Sequence, residues 1–120
     1  NGKIPAIVLD DGRALFESNA IMLYLAEGSR FLPADRFERA QVAQWLFFEQ
    51  YSHEPQVAVA RYIHRHLPAG HPRFGELPAR LEGGQKALGV MEQHLSRHNW
   101  MVGEAFSIAD IGLYAYTHVA

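Results

Sequence analysis

The chain has 120 residues, 48% of them apolar, a formal net charge of −2 and no cysteine. That apolar share belongs to a folded globular protein, and the length suits one ordinary domain or two incomplete ones. Interspersed acids and bases exclude a nucleic-acid footprint and an anionic-membrane binder. The lack of cysteine excludes a disulfide framework or a thiol nucleophile in this stretch and is compatible with a reducing compartment. No segment has the unbroken apolar length of a membrane span.

Asn1-Gly2-Lys3-Ile4-Pro5 has neither a signal-type apolar region nor an initiating Met, and the last helical run reaches Ala120 with no stop signal. The expectation is an internal piece of a longer protein. A short aliphatic strand over 6–9 comes first, then Asp11-Gly12, a hairpin signal, and a second strand over 13–16. A lone hairpin is marginal, so it needs a helix or further strands. Ala20, Ile21, Tyr24 and Leu25 predict a helix over about 19–27, which Gly28 is placed to stop. Residues 29–34, with Pro33, read as a linker, and beyond it the pattern is wholly helical.

Asp35, with Glu38 three residues on, predicts a capped helix reaching 53 or 54. Between Val42 and Phe48 it is apolar nearly all round, which predicts cover on more than one side. Pro55 is expected to kink or interrupt it before the helical stretch 56–66. Residues 67–78 read as the main loop, and a helix is expected over about 76–98 with Leu88, Met91 and Leu95 on one face. Gly83-Gly84 either weakens that helix or admits another backbone; the simple weak spot is the reading adopted. Ser107 as N-cap, Asp110 at N3 and a Phe106–Ile111 staple open the last helix, over 108–120. Apolar on most faces, it is expected at the buried centre of a bundle.

Glu17-Ser18, after a strand and before a helix, is the pattern that carries chemistry. An acid followed by a hydroxyl at a helix start can hold a free amino-acid head group: the carboxylate takes the ammonium and the helix N-terminus takes the carboxylate. Each residue also has a plainer reading: Glu17 as a solvated acid favoured near a helix N-terminus, Ser18 as an ordinary cap. The N3 position after Ser18 is Ile21, so no reciprocal capping box is available there, unlike at Asp35 and Ser107. The seven histidines include His64, His66 and His71 and the i,i+4 pair His94/His98. With no cysteine beside them they read as surface residues without a metal. The five tyrosines read as packing residues. Trp45, Phe47, Phe48 and Tyr51 read as core, with a ligand pocket or a subunit interface as alternatives.

Three blocks, in order, resemble the cytosolic glutathione S-transferases: Lys3-Ile4-Pro5-Ala6-Ile7-Val8-Leu9, Phe16-Glu17-Ser18-Asn19-Ala20-Ile21 and Phe106-Ser107-Ile108-Ala109-Asp110-Ile111. The resemblance implies an α+β remnant of a thioredoxin-like domain (a β-hairpin plus a helix) over 1–28, a linker over 29–35 and a truncated all-α helical bundle over 36–120. It implies a glutathione-binding set of Lys3, Ile4, Pro5, Glu17 and Ser18. Pro5 would be in the cis form, presenting the Ile4 backbone to an extended ligand, where the sequence alone favours a trans proline at a strand start. Glu17 would take the γ-glutamyl ammonium and Ser18 its carboxylate. Lys3 would reach the glycine carboxylate or the ligand backbone, and is otherwise a solvated lysine. Asn19 would add a backbone N–H. Ser107 and Asp110 would be a structural N-cap.

No catalytic residue is assigned, because the family's thiol-activating residue would lie before Asn1. The implied function is glutathione transfer to a hydrophobic electrophile by a cytoplasmic homodimer, with glutathione as co-substrate, no metal, no nucleic acid and no membrane. The chain as given is expected to show little or no activity. A non-enzymatic interaction module of the same fold is the alternative. A helical scaffold with a hairpin cap, binding nothing at Ser18, is a third reading.

Overall fold

The computed structural model describes residues 2–120. Strands β1 (Ala6–Val8) and β2 (Ala14–Phe16) form an antiparallel pair in the register Ala6↔Phe16, Ile7↔Leu15, Val8↔Ala14. The Leu9 N–H donates to the Arg13 carbonyl at 2.8 Å, closing a three-residue loop. Gly12 takes φ +85° in it, a conformation that suits a residue without Cβ. Arg13 bonds back to both oxygens of Asp11 and holds the tip.

The helices are α1 (Ser18–Ala26), α2 (Arg36–Phe48), α3 (Glu54–His66), α4 (Leu77–Leu95) and α5 (Ile108–Thr117). Asp35 caps α2 through the N–H groups of Phe37 and Glu38, both at 2.9 Å. The expected interruption at Pro55 takes a specific form. Residues Glu49–His53 make one π-helical turn, with the Glu54 N–H reaching the Glu49 carbonyl, so α2 and α3 run on without a break. Proline has no N–H and crowds the carbonyl four residues back; the wider turn makes room for it. The 67–78 loop is shorter than expected. Pro72–Glu76 form a 3₁₀ turn that leads straight into α4, with Pro78 in the first helical turn, where a missing N–H costs nothing. Gly83 and Gly84 are no mere weak spot: a Cβ on Gly83 would meet the Gln56 side chain at 2.8 Å, and Gly84 lies against Val57. They let α3 approach α4.

The core gathers Val42, Trp45 and Leu46 of α2, Met91 of α4, and Ile108, Ala109 and Leu113 of α5. Leu32, 5% exposed, joins it, and the Phe31 carbonyl accepts from the Ile108 N–H at 3.0 Å, so residues 29–35 are packed down rather than trailing. The described residues form a slab only 17 Å through its thinnest direction. Its helices are consequently covered on fewer sides than their apolar patterns predict. Phe47 on α2 is 74% exposed and Tyr114 on α5 is 64% exposed, so α5 buries one side, not all. Tyr24, Tyr51 and Tyr62 are likewise exposed rather than packed.

The start of α5 is the best-satisfied terminus. The Ser107 Oγ accepts from the Ala109 N–H, and Asp110 accepts from the Ser107 N–H, the Ser107 hydroxyl and, across the loop, the Met101 N–H at 2.9 Å. The expected staple partner Phe106 rests edge-on against Phe31 and Trp100, while Ile111 is 38% exposed.

Asp110→Ala is therefore expected to cost about 2 kcal/mol or more, exceeding Ser107→Ala at about 1 kcal/mol, because it orphans more donors. Urea denaturation of both variants checks the order, and equal losses would show that the Met101 bond contributes nothing.

A second prediction comes from His53, fully buried in the π turn. The Thr117 hydroxyl donates to the Leu113 carbonyl at 2.7 Å, so its oxygen accepts from His53 Nε2–H at 2.9 Å. The neutral ring then leaves Nδ1 without a partner among the described residues. Burial pushes the His53 pKa below its usual value of about 6.5. The unfolded chain thus takes up a proton that the folded one refuses. This contribution to stability is complete above about pH 6.5 and is lost as pH falls toward the lowered folded value. Urea midpoints from pH 8 to pH 5 should fall, and fall less in His53→Gln; an unchanged slope would assign the loss to other groups.

Candidate functional site

The hairpin and the first turn of α1 build one corner of the surface. One step past the Ala6–Phe16 pair lie Pro5 on one strand and Glu17 on the other. The Ile4–Pro5 peptide bond is cis, as the resemblance implies, and Ile4 is 95% exposed. Glu17 has φ +70° and ψ +117°, the only positive φ of a non-glycine residue among those described. Held on an L side chain, such backbone costs of order 1–3 kcal/mol and persists only where its surroundings enforce it. Here the Ile21 N–H bonds to the Glu17 carbonyl at 2.9 Å as the helix begins, while β2 ends one residue earlier.

Ser18 is the first residue of α1, one earlier than the sequence pattern suggests, so it is not the cap. Glu17 occupies the cap position without a side-chain cap bond. Among the described residues neither the Glu17 carboxylate nor the Ser18 hydroxyl has a hydrogen-bond partner. The first N–H groups of α1 have no partner within the helix. An exposed acid and an uncapped, positively polarised helix end thus lie side by side.

Asn19 plays a part the sequence does not reveal. Its amide points inward, donating to the Leu46 carbonyl at 3.0 Å and to Glu49 Oε2 at 3.1 Å. Glu49 is 3% exposed and also accepts from Gln50 at 2.8 Å. The site helix is thereby tied to the junction of α2 and the π turn. Gly112 of α5 completes this crossing, for a Cβ there would stand 3.0 Å from Leu46 and 3.3 Å from Met22. Glu49 and His53, an i,i+4 acid–base pair just after the apolar run that ends at Phe48, are the available signal for this polar crossing.

The pKa of Glu54 is raised by burial first and by Glu49 next, and is partly drawn back by Lys3 and Arg80. Tyr116 on α5 is raised as well, by burial and then by Glu54 and Glu49. A cavity of about 330 Å³ between α3 and α5 includes Glu54, Arg61 and Tyr116 in its lining. A larger one, about 500 Å³, lies between α3 and α4 against Val57, Leu88 and Val119. Glu17 and Ser18 line neither. Trp45 is buried with Phe48 edge-on at 5.4 Å, whereas Phe47 and Tyr51 face outward. His94 and His98 stack at 4.4 Å, and His94 Nε2 faces the Trp100 carbonyl. Among the described residues no group of three or more His, Asp or Glu side chains converges as a metal site would require.

The glutathione S-transferase N-terminal domain model matches residues 1–27 and the C-terminal domain model matches residues 51–120. The disulfide-bond oxidoreductase YfcG of Escherichia coli K12 is 36% identical over 98% of this chain and 57% of its own length. Elongation factor 1-gamma-B of Xenopus laevis is 33% identical over 93% of the chain and 25% of its own length. The chain thus spans little more than half of the first of these relatives, and less of the second. Among solved structures, a glutathione S-transferase from Xanthobacter autotrophicus Py2 superposes with a TM-score of 0.92 at 53% identity, over 98% of this chain and 58% of that one. A glutathione transferase from Pseudomonas putida, with one glutathione disulfide bound per subunit, gives 0.83 at 33% identity, over 97% and 53%. A hairpin leading into an uncapped helix, a helical body behind it and these matches at both ends of the sequence have one common account: the chain belongs to the cytosolic glutathione S-transferase superfamily.

Proposed function

We propose that residues 1–28 of this chain supply the amino-acid end of a glutathione pocket, with 29–35 as the connection and 36–120 as part of the helical domain behind it. Glu17 receives the γ-glutamyl ammonium. Ser18, through its hydroxyl and the open N-terminus of α1, receives the γ-glutamyl carboxylate. Ile4, beside Pro5, pairs its backbone with the extended tripeptide in the manner of an added strand. Lys3 reaches the glycine carboxylate. One observation carries this reading: an unpartnered carboxylate, on a backbone that only its surroundings can hold, beside an uncapped helix start. The glutathione disulfide in the Pseudomonas putida relative supports the ligand.

The full-length protein conjugates glutathione. Its thiolate attacks an electrophilic carbon, and the protein's share is to stabilise the thiolate and align the two reactants. No residue of this chain is assigned the thiol-activating role. A cytoplasmic homodimer is part of the same proposal, supported by Phe37, Phe47 and Tyr51, which stand 70%, 74% and 87% exposed along one helical run. The likeness to elongation factor 1-gamma-B favours a second reading, a non-enzymatic interaction module of the same fold.

Glu17→Ala and Ser18→Ala in the full-length protein are each expected to weaken glutathione binding at least tenfold, since a hydrogen bond to a charged group contributes about 1.5–3 kcal/mol. Isothermal titration checks this, with Glu17→Gln separating charge from shape. Wild-type affinity in both alanine variants would remove the site. Tight binding without turnover of any electrophile would favour the module.

A further inference from the structure

We infer, resting on the glutathione-binding reading above, that Asn19 and Glu49 are positioning residues for the head-group pocket. They act through Ser18 rather than on the ligand. The bond between them fixes the rotation of α1, and with it the aim of the Ser18 hydroxyl and of the first N–H groups of the helix.

Glu17, Ser18 and Asn19 are the cap and the first two residues of α1, so the proposed ligand groups and the anchor share one helical turn. Successive residues point about 100° apart around the axis, which lets Ser18 face outward while Asn19 faces the helical body. Asn19 is the only residue of α1 whose side chain hydrogen-bonds to α2 or the π turn among the described residues. The other contacts of α1 with the body are made by Ile21, Met22, Leu23 and Ala26, and apolar contacts are not directional. At the far end Arg39 donates to both oxygens of Glu27, an exposed pair eight residues beyond Asn19. A turn of about 15° about the helix axis would carry the Ser18 hydroxyl roughly 1 Å, against a tolerance of about 0.5 Å for a working site.

The chemistry of the anchor favours direction over stability. Glu49 is 3% exposed, and the two hydrogen bonds to its carboxylate both come from neutral amides, those of Asn19 and Gln50, on the same oxygen. A carboxylate withdrawn from water on such terms costs stability, and apolar side chains of the same shape would hold the two helices together at lower cost. What they could not do is set one rotation, because a charge-assisted hydrogen bond is both strong and narrow in geometry.

The test uses reduced glutathione and isothermal titration of the full-length protein. Asn19→Leu with Glu49→Met keeps the shapes and removes the bond. That double variant is expected to match or exceed the wild type in urea stability, yet to bind glutathione about tenfold more weakly. It should lose no more affinity than Asn19→Leu alone, since both changes remove one shared bond. Glu49→Gln keeps an acceptor and should stay within about threefold of the wild type. Wild-type affinity in the double variant, losses that add across the two sites, or a Glu49→Gln loss as large as that of the double variant overturns this inference alone. If the double variant does not fold, Asn19→Ala decides in its place: a tenfold loss supports the assignment and wild-type affinity overturns it. A wild-type protein that binds no glutathione, or Glu17→Ala and Ser18→Ala variants that bind it unchanged, removes the functional reading and this inference with it.

Discussion

The Asn19 amide holds the proposed site in place. Two N–H donors from one side chain on α1 reach a carbonyl at the end of α2 and a buried carboxylate in the π turn. Without that fork, α1 would meet the helical body chiefly through Ile21, Met22 and Ala26, apolar contacts that resist separation but not sliding. Hydrogen bonds are directional, and in a partly buried setting they set the rotation of α1 about its own axis. That rotation decides where Glu17 and Ser18 point. Gly112 lets Leu46 and Met22 close over the same crossing, so packing and hydrogen bonding agree on one geometry.

The π turn that receives Asn19 also organises the far side of the molecule. Its wider ring accommodates Pro55 and rotates α3 relative to α2, so that Glu49 and His53 face inward while Glu54 turns toward the cavity with Arg61 and Tyr116. His53 then meets Thr117 of α5 at 2.9 Å, which locks the last turn of α5 to the start of α3. A single irregular turn thus separates two polar environments. One is an inner one in which, among the described residues, His53 Nδ1 is the one fully buried side-chain nitrogen or oxygen without a partner. The other is an open one, lined by Glu54, Arg61 and Tyr116. Local departures from regular helix geometry gather at functional places because they re-aim side chains that a regular helix would point elsewhere.

Much is legible along the chain because it depends on short-range chemistry. Asp35 and Ser107 announce themselves as caps by residue type and spacing, and both accept the helix N–H groups. Asp11-Gly12 signals a hairpin, and the strands pair there. Other features are hidden for physical reasons. Pro55 signals disruption but not its form, since a kink, a break and a π turn all relieve the same clash. The inward turn of Asn19 depends on where Leu46 and Glu49 lie, some thirty residues away. The exposed tyrosines follow a helical period that core residues share, and only the thinness of the slab shows which side lacks cover.

By itself the sequence determined the local elements, the capped start of α5 and an acid–hydroxyl pair at a helix entry, because turns, caps and apolar periods are set by neighbours within a few residues. Only the tertiary structure decided that Ser18 lies inside α1 rather than capping it, that Glu17 sits on a strained backbone with its carboxylate unanswered, and that Asn19 turns inward to Leu46 and Glu49. Each of those outcomes depends on which groups from distant segments arrive alongside. Hydrogen bonding and charge pairing act over a few ångströms in space, whatever the separation along the chain.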